Sequence, residues 1–291
     1  MSSPLATLPA GPSSSRPIKG PSAFGSDWRR AWRLTVVLAT TDFKLKFFGS
    51  VLGYLWQLMR PLMLFGVLYV VFTQFLDVRG SAKYFPVSLL LGLVLFQFFG
   101  EATGSAVRSI VDRENLVRKI EFPRIAVPAA TVMTSLFNLG LNLIPVAVFL
   151  LIAGGRPRMS WLALPLLVAV LAVYALGLAM LLSALFVRYR DVAPIWDVML
   201  QMMFYGSPIL YGLDQLREKA GQTAATVVMC NPFAAIMQET RHVFIDPSHL
   251  SAAAGLGGAT RLAFPLAIIV GTFVLGLRVF VRAAPHVAEE L

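Results

Sequence analysis

The stretch Asp112-Arg113-Glu114-Asn115-Leu116-Val117-Arg118-Lys119-Ile120-Glu121-Phe122-Pro123-Arg124 concentrates charge between two long apolar segments. Its acids, Asp112 and Glu114, come first and its bases, Arg118 and Lys119, follow, an order that complements the dipole of a short helix. Leu116, Val117 and Ile120 give that helix an apolar side, and Pro123 closes it. A solvated loop has no need of this order. The pattern predicts a partner-docking helix over about 112–120.

Other chemistry-bearing residues are sparse. There is no GxxxxGK[ST], and no Gly-Lys pair at all, so the chain has no ordinary P-loop. H-E-x-x-H and G-x-S-x-G are also missing. Of three histidines, His242 and His249 stand seven apart in a loop, which does not make a metal site. The single cysteine, Cys230, rules out an internal disulfide and a cysteine-cluster metal site. No catalytic residue, no metal and no cofactor bound by this chain is expected. Glu101 and Asp197 fall inside apolar segments, where an acid is costly and becomes a functional candidate. Two readings stand for them: pairing near the headgroups, Glu101 with Arg108 and Asp197 with the Arg188–Arg190 loop, or a proton or substrate role. Asn138 and Asn142, one helical turn apart, suit hydrogen bonds between helices.

The elements that must position these groups follow from composition. The chain has 291 residues, 57% hydrophobic and 14% charged, against about 25% charged in a soluble domain. Apolar runs longer than about eighteen residues place it among polytopic membrane proteins, and their continuity favours helices over a barrel. The expected class is all-α integral membrane with six transmembrane helices: about 51–76 (interrupted by Arg60-Pro61), 84–107, 125–153, 159–187, 192–213 and 262–281. With both termini in the cytoplasm, inner pieces hold 17 Lys and Arg and outer pieces hold 8, which supports that orientation. It also puts the charged stretch on the cytoplasmic face. The net charge of +10 then reflects basic loops and anionic membrane lipid, with no nucleic acid partner.

Two apolar segments are not expected to span. Residues 26–48 place Trp28, Trp32, Val36, Ala39, Phe43 and Phe47 on one helical face, an amphipathic interface helix capped by Ser26 with Asp27 in its first turn. Residues 223–237, broken by Asn231-Pro232, are too short to cross and lie in an outer loop of about 214–261, as a re-entrant hairpin or interfacial pair. Residues 1–25 read as a disordered cytoplasmic tail without a signal-peptide core, and 283–291 as a cytoplasmic C-terminal tail. Aromatic residues cluster in the spans. Tyr54, Trp56, Phe65, Tyr69, Phe72, Phe96, Phe99, Tyr205 and Tyr211 are candidates to line a conduit, since rings stack on sugar faces; an interfacial belt and ordinary packing are the plainer explanation.

These residues carry a family resemblance. Asp42-Phe43-Lys44-Leu45-Lys46-Phe47-Phe48-Gly49-Ser50-Val51-Leu52-Gly53-Tyr54-Leu55-Trp56 with Arg60-Pro61, Glu114 to Arg124, Arg188-Tyr189-Arg190-Asp191, and Ser207-Pro208-Ile209-Leu210-Tyr211 followed by Asn231-Pro232-Phe233 stand in an order similar to the permease subunit of type-2 ABC polysaccharide exporters. That group exports O-antigens, teichoic acids, capsules and galactan, and the resemblance covers about 26–282. It implies six spans over 49–282 and a homodimer working with two copies of a separate ATPase, which binds the ATP and Mg. It also implies a bacterial cytoplasmic-membrane location, outer gate helices over about 214–261, and a glycan on a polyprenyl diphosphate as substrate. The ATPase-coupling helix would comprise Asp112, Arg113, Glu114, Asn115, Leu116, Val117, Arg118 and Lys119. Lys44, Lys46 and Arg60 could meet the diphosphate; surface charge facing anionic lipid explains them equally well. A type-2 exporter of drugs or simple lipids is the nearest competitor. A polytopic enzyme acting on polyprenyl-linked sugars would call for clustered Asp and Glu on a cytoplasmic loop, and the acids here are scattered.

Overall fold

The computed structural model describes residues 28–47, 53–71, 84–114 and 123–284. Every regular element among them is helical: α1 Trp28–Phe47, α2 Gly53–Val70, α3 Phe85–Arg108, α4 Ala126–Ile152, α5 Leu164–Arg188, α6 Val192–Gly206, α7 Leu213–Met229, α8 Pro232–Thr240, α9 Ala252–Leu256 and α10 Ala263–Ala283. Four stretches are long and apolar enough to cross a membrane: Phe85–Arg108, Ala126–Ile152, Met159–Arg188 and Ala259–Ala283. This is a multi-pass membrane protein. The span expected over 192–213 comes out shorter, and the first expected span, about 51–76, is described only over 53–71. Leu55–Val70 is apolar but brief. α6 has 15 residues, a rise of about 22 Å against about 30 Å of hydrocarbon. It stops because Ser207 turns extended (φ −98°, ψ 150°), as the residue before a proline prefers.

α3 is the hub. It packs against α2, α4, α5 and α6, and 67% of its apolar window is buried, against 22% for Ala259–Ala283 at the periphery. The densest helix contact joins α5 to α10, where two glycines meet. A Cβ on Gly276 would fall 2.1 Å from the Gly177 carbonyl oxygen, and one on Gly177 would fall 2.7 Å from Phe273 Cα. Lipid tails are as apolar as leucine, so close packing through small residues supplies the association.

α1 packs on α4 by the same device. Ala31, Thr35 and Ala39, at steps of four, form its buried stripe, and Phe43 meets Phe137 edge-on with centroids 5.6 Å apart. The single aromatic face read from the sequence therefore divides. Ala39 and Phe43 turn inward, while Trp28 and Trp32 stay 65% and 54% exposed, because a tryptophan is too large for so close a helix crossing. Ser26, Asp27 and the Phe47 side chain lie outside the described residues.

The 214–261 region is a set of short helices. α7 kinks at Gly221 (φ 83°), a backbone conformation glycine adopts without penalty. Asn231 caps α8, its side chain accepting from the Phe233 N–H at 3.0 Å, with Pro232 in the first turn. α8 is buried along most of its length and packs against α5, α7, α9 and α10. Asn231 Nδ2 also donates to Ser207 Oγ at 3.2 Å, so the two proline motifs are tied side chain to side chain.

Candidate functional site

An open cleft of about 930 Å³ runs between α2, α3 and α6. Trp56, Leu64, Leu93, Phe96, Leu200 and Phe204 form its apolar wall; Lys46, Gln57, Arg60, Gln97, Glu101, Ser105 and Asp197 supply polar groups. Beside it lies a cavity of about 380 Å³ lined by Asp42, Lys46, Glu101, Ser105, Ser109, Asp112, Arg113, Thr131, Thr134 and Ser135. Every one of those side chains is charged or hydroxylated. The two spaces share Lys46, Glu101 and Ser105.

Four charges in this region form two pairs. Lys46 forms an ion pair with Glu101, and Asn138 Nδ2 donates to the same carboxylate oxygen at 2.7 Å. Arg113 pairs with Asp42. Glu101 is thereby held by a cation and an amide, the arrangement that makes an acid tolerable within a span. The expected partner Arg108 instead lies over the Phe186 ring, 5.9 Å from its centroid. Asp197 departs from expectation in the same way. Arg188 and Arg190 sit over the rings of Tyr189 and Phe186, at 5.5 and 5.1 Å, and Asp197 faces the cleft with Arg60. Arginine planes stack well on aromatic rings, which takes these bases away from the acid. Asn138 makes the interhelical bond expected of it. Asn142 is buried, and its Oδ1 has no partner among the described residues.

Of the candidate cations, Lys46 and Arg60 line the cleft and Lys44 does not. Of the candidate rings, Trp56 and Phe96 line it. Phe96 continues a run of rings into the core: Phe204 at 5.1 Å on one side, Phe233 at 5.4 Å on the other, then Phe99 and Tyr174. Phe99 is fully buried between Tyr174 and Phe233, so it packs the bundle and offers no surface to a conduit. Phe65 stacks on Tyr69 and meets Phe149, joining α2 to α4. Tyr205 is exposed beside Phe204. Tyr211 belongs to the opposite end of the molecule, near Ser88, Gln238, Arg241 and His249. Phe72 and the Tyr54 side chain lie outside the described residues, as do Asn115, Leu116, Val117, Arg118 and Lys119. The part of the docking stretch that is described continues α3 through a 3-10 turn, Val111–Arg113, with Asp112 and Arg113 on the polar cavity.

Sequence reasoning missed Asp42, Gln57, Gln97 and Ser105. Asp42 was legible in one respect: it precedes Lys46 by four residues on the same helix, so both share a face. It also missed a cluster around Arg241. Arg241 is almost fully buried and donates to the carbonyls of Pro208 (2.6 Å), Ile209 (2.9 Å) and Ser88 (3.1 and 3.3 Å). Gly92 makes room for it, since a Cβ there would stand 3.0 Å from Arg241 Nη2. His249 Nε2 lies 3.0 Å from Ser88 Oγ, and His242 Nδ1 contacts the His249 carbonyl at 2.7 Å. Burial pushes the Arg241 guanidinium down to about 10, so it stays cationic at neutral pH. Burial, with Arg241 nearby, pushes the His249 imidazole down to about 4.

Residues 33–245 match the family model for the ABC-2 type transporter. Among curated relatives, the O-antigen export system permease protein RfbA of Klebsiella pneumoniae is 28% identical over 214 residues, covering 73% of this chain and 80% of the relative. The protein of the same name from Myxococcus xanthus is 27% identical over 213 residues, with the same coverage. The family match takes in α1 from Arg33 onward, the cleft, the Val111–Arg113 turn and Arg241, and by it this chain belongs to the ABC-2 type transporter family.

Proposed function

We propose that this chain is the permease subunit of an ATP-driven exporter that carries a polyprenyl-diphosphate-linked polysaccharide across the bacterial cytoplasmic membrane. Relatives named as O-antigen export permeases support the substrate class. The observation that carries the reading is the cleft, a partly open space that combines two cations, Lys46 and Arg60, and two acids, Glu101 and Asp197, with the side-chain amides of Gln57 and Gln97 and exposed aromatic surface. A diphosphate accepts strong bonds from such cations, sugars stack on the rings, and a polyprenyl tail can remain in lipid beside an open wall.

The chain works as a homodimer with two ATPase subunits, which bind the ATP and Mg, while the permease itself binds neither. Both termini are cytoplasmic, and α2 and α6 complete six spans. ATP binding closes the ATPase pair and pushes on the coupling helix, Asp112 to Lys119. The two permease copies then part, and the glycan is threaded outward past the 214–261 gate as its lipid flips. Depleting the chain in its native host tests this directly. Lipid-linked glycan is expected to accumulate on the cytoplasmic side, identifiable by its sugars; unchanged lipid-linked pools with normal surface glycan would exclude the reading.

A further inference from the structure

Two ion pairs hang from the last turn of α1. Asp42 and Lys46 are four residues apart and share a face. Asp42 reaches Arg113 in the docking turn, and Lys46 reaches Glu101 on α3. Lys46 and Glu101 line both the cleft and the polar cavity, and Asp42 and Arg113 line the cavity alone. One helical turn thus connects the cleft to the stretch on which the ATPase would act.

We propose that the Lys46–Glu101 pair is the transporter's anion sensor. A diphosphate headgroup in the cleft competes with Glu101 for Lys46. Release of Lys46 then shifts the last turn of α1 and, through Asp42–Arg113, the docking segment. This inference rests on the reading that the cleft receives a diphosphate-linked lipid. A diphosphate offers Lys46 more negative charge than one carboxylate does, and Arg60 on the same cleft adds a second cation to hold it. Glu101 keeps the Asn138 amide when Lys46 leaves. The two states therefore differ in affinity for the anion, which a ligand-driven shift requires. All four charged side chains are only partly covered, at 20% to 39% exposure, so exchange of partners needs no unfolding of the bundle.

The test uses the complete permease–ATPase complex in proteoliposomes. ATP hydrolysis is read with a polyprenyl diphosphate in the bilayer, and with the polyprenyl alcohol as control. The wild type is expected to respond to the diphosphate and not to the alcohol. Glu101→Gln frees Lys46 and should lower the ratio of stimulated to basal rate by about fivefold, mainly by raising the basal rate. The exchange D42R/R113D should restore the response that D42R alone loses. A normal ratio in Glu101→Gln, or a D42R/R113D double variant no better than its parents at wild-type melting temperature, overturns the sensor. A wild-type complex that exports lipid-linked glycan but ignores the diphosphate lipid also overturns the sensor and leaves the export reading standing. Failure of export in the wild type overturns both.

Discussion

Arg241 shows how a single side chain organises one end of the molecule. Its guanidinium gathers carbonyls from the first turn of α3 and from the Ser207–Tyr211 turn. Replacing it with methionine keeps apolar bulk but leaves buried carbonyls without their donor. Arg241→Met is expected to cost about 3 kcal/mol, measured as a lowered melting temperature in detergent, and Arg241→Lys should recover only part, because an ammonium cannot reproduce the planar fork. His249 adds a pH dependence. Its folded pKa of about 4 lies below the usual value of 6.5, so the fold favours the neutral ring. That stability is complete above about pH 6.5 and is lost as pH falls toward 4. The full shift corresponds to roughly 3 kcal/mol. Thermal melts between pH 7 and pH 4 should show the decline, and His249→Asn should flatten it. Neither role was legible in the sequence. Arg241 reads there as one more outer-loop base, and its carbonyl partners are 32 to 153 residues away.

Helix contacts follow a similar rule: what was apolar and continuous could be read, and what depended on approach could not. α4 and α5 were plain, because their apolar runs carry no charge. α6 was overextended by seven residues, since Ser207-Pro208 sits in apolar surroundings that hide the end of the helix. The inward face of α1 was obscured by its tryptophans, which outweigh Ala31, Thr35 and Ala39 in hydrophobicity but do not fit against α4. The α5–α10 crossing rests on glycines that no periodicity marks. Gly276→Ala drives a methyl group into the Gly177 carbonyl and should destabilise by about 1–3 kcal/mol. Gly271→Ala, on the same helix with open space around it, should stay within about 0.5 kcal/mol of wild type. Paired melting curves of the two variants decide the point.

At the scale of the whole molecule, the site was half legible. Lys46 and Arg60 were picked out as candidate cations, and both line the cleft. Glu101, 55 residues from Lys46 in sequence, could not be assigned as its partner, because pairing across helices is set by the packing of α1 and α3 around α4. The docking stretch is an expectation from charge order, and Asn115 to Lys119 lie outside the described residues. On the proposed function, Leu116→Asp puts a charge into the expected coupling segment and should reduce partner-stimulated ATP hydrolysis and glycan export to background, with membrane insertion intact by fractionation. The proposed function is movement of a lipid-linked glycan by work that a partner delivers. It is tested most directly by purifying the permease with its ATPase, reconstituting both with a fluorescent lipid-linked glycan, and following exposure of the glycan on the far leaflet after adding ATP. Transport that requires ATP and both subunits is the predicted result. Equal transport without ATP or without the ATPase, or no movement of the glycan by an ATP-hydrolysing complex, would contradict it.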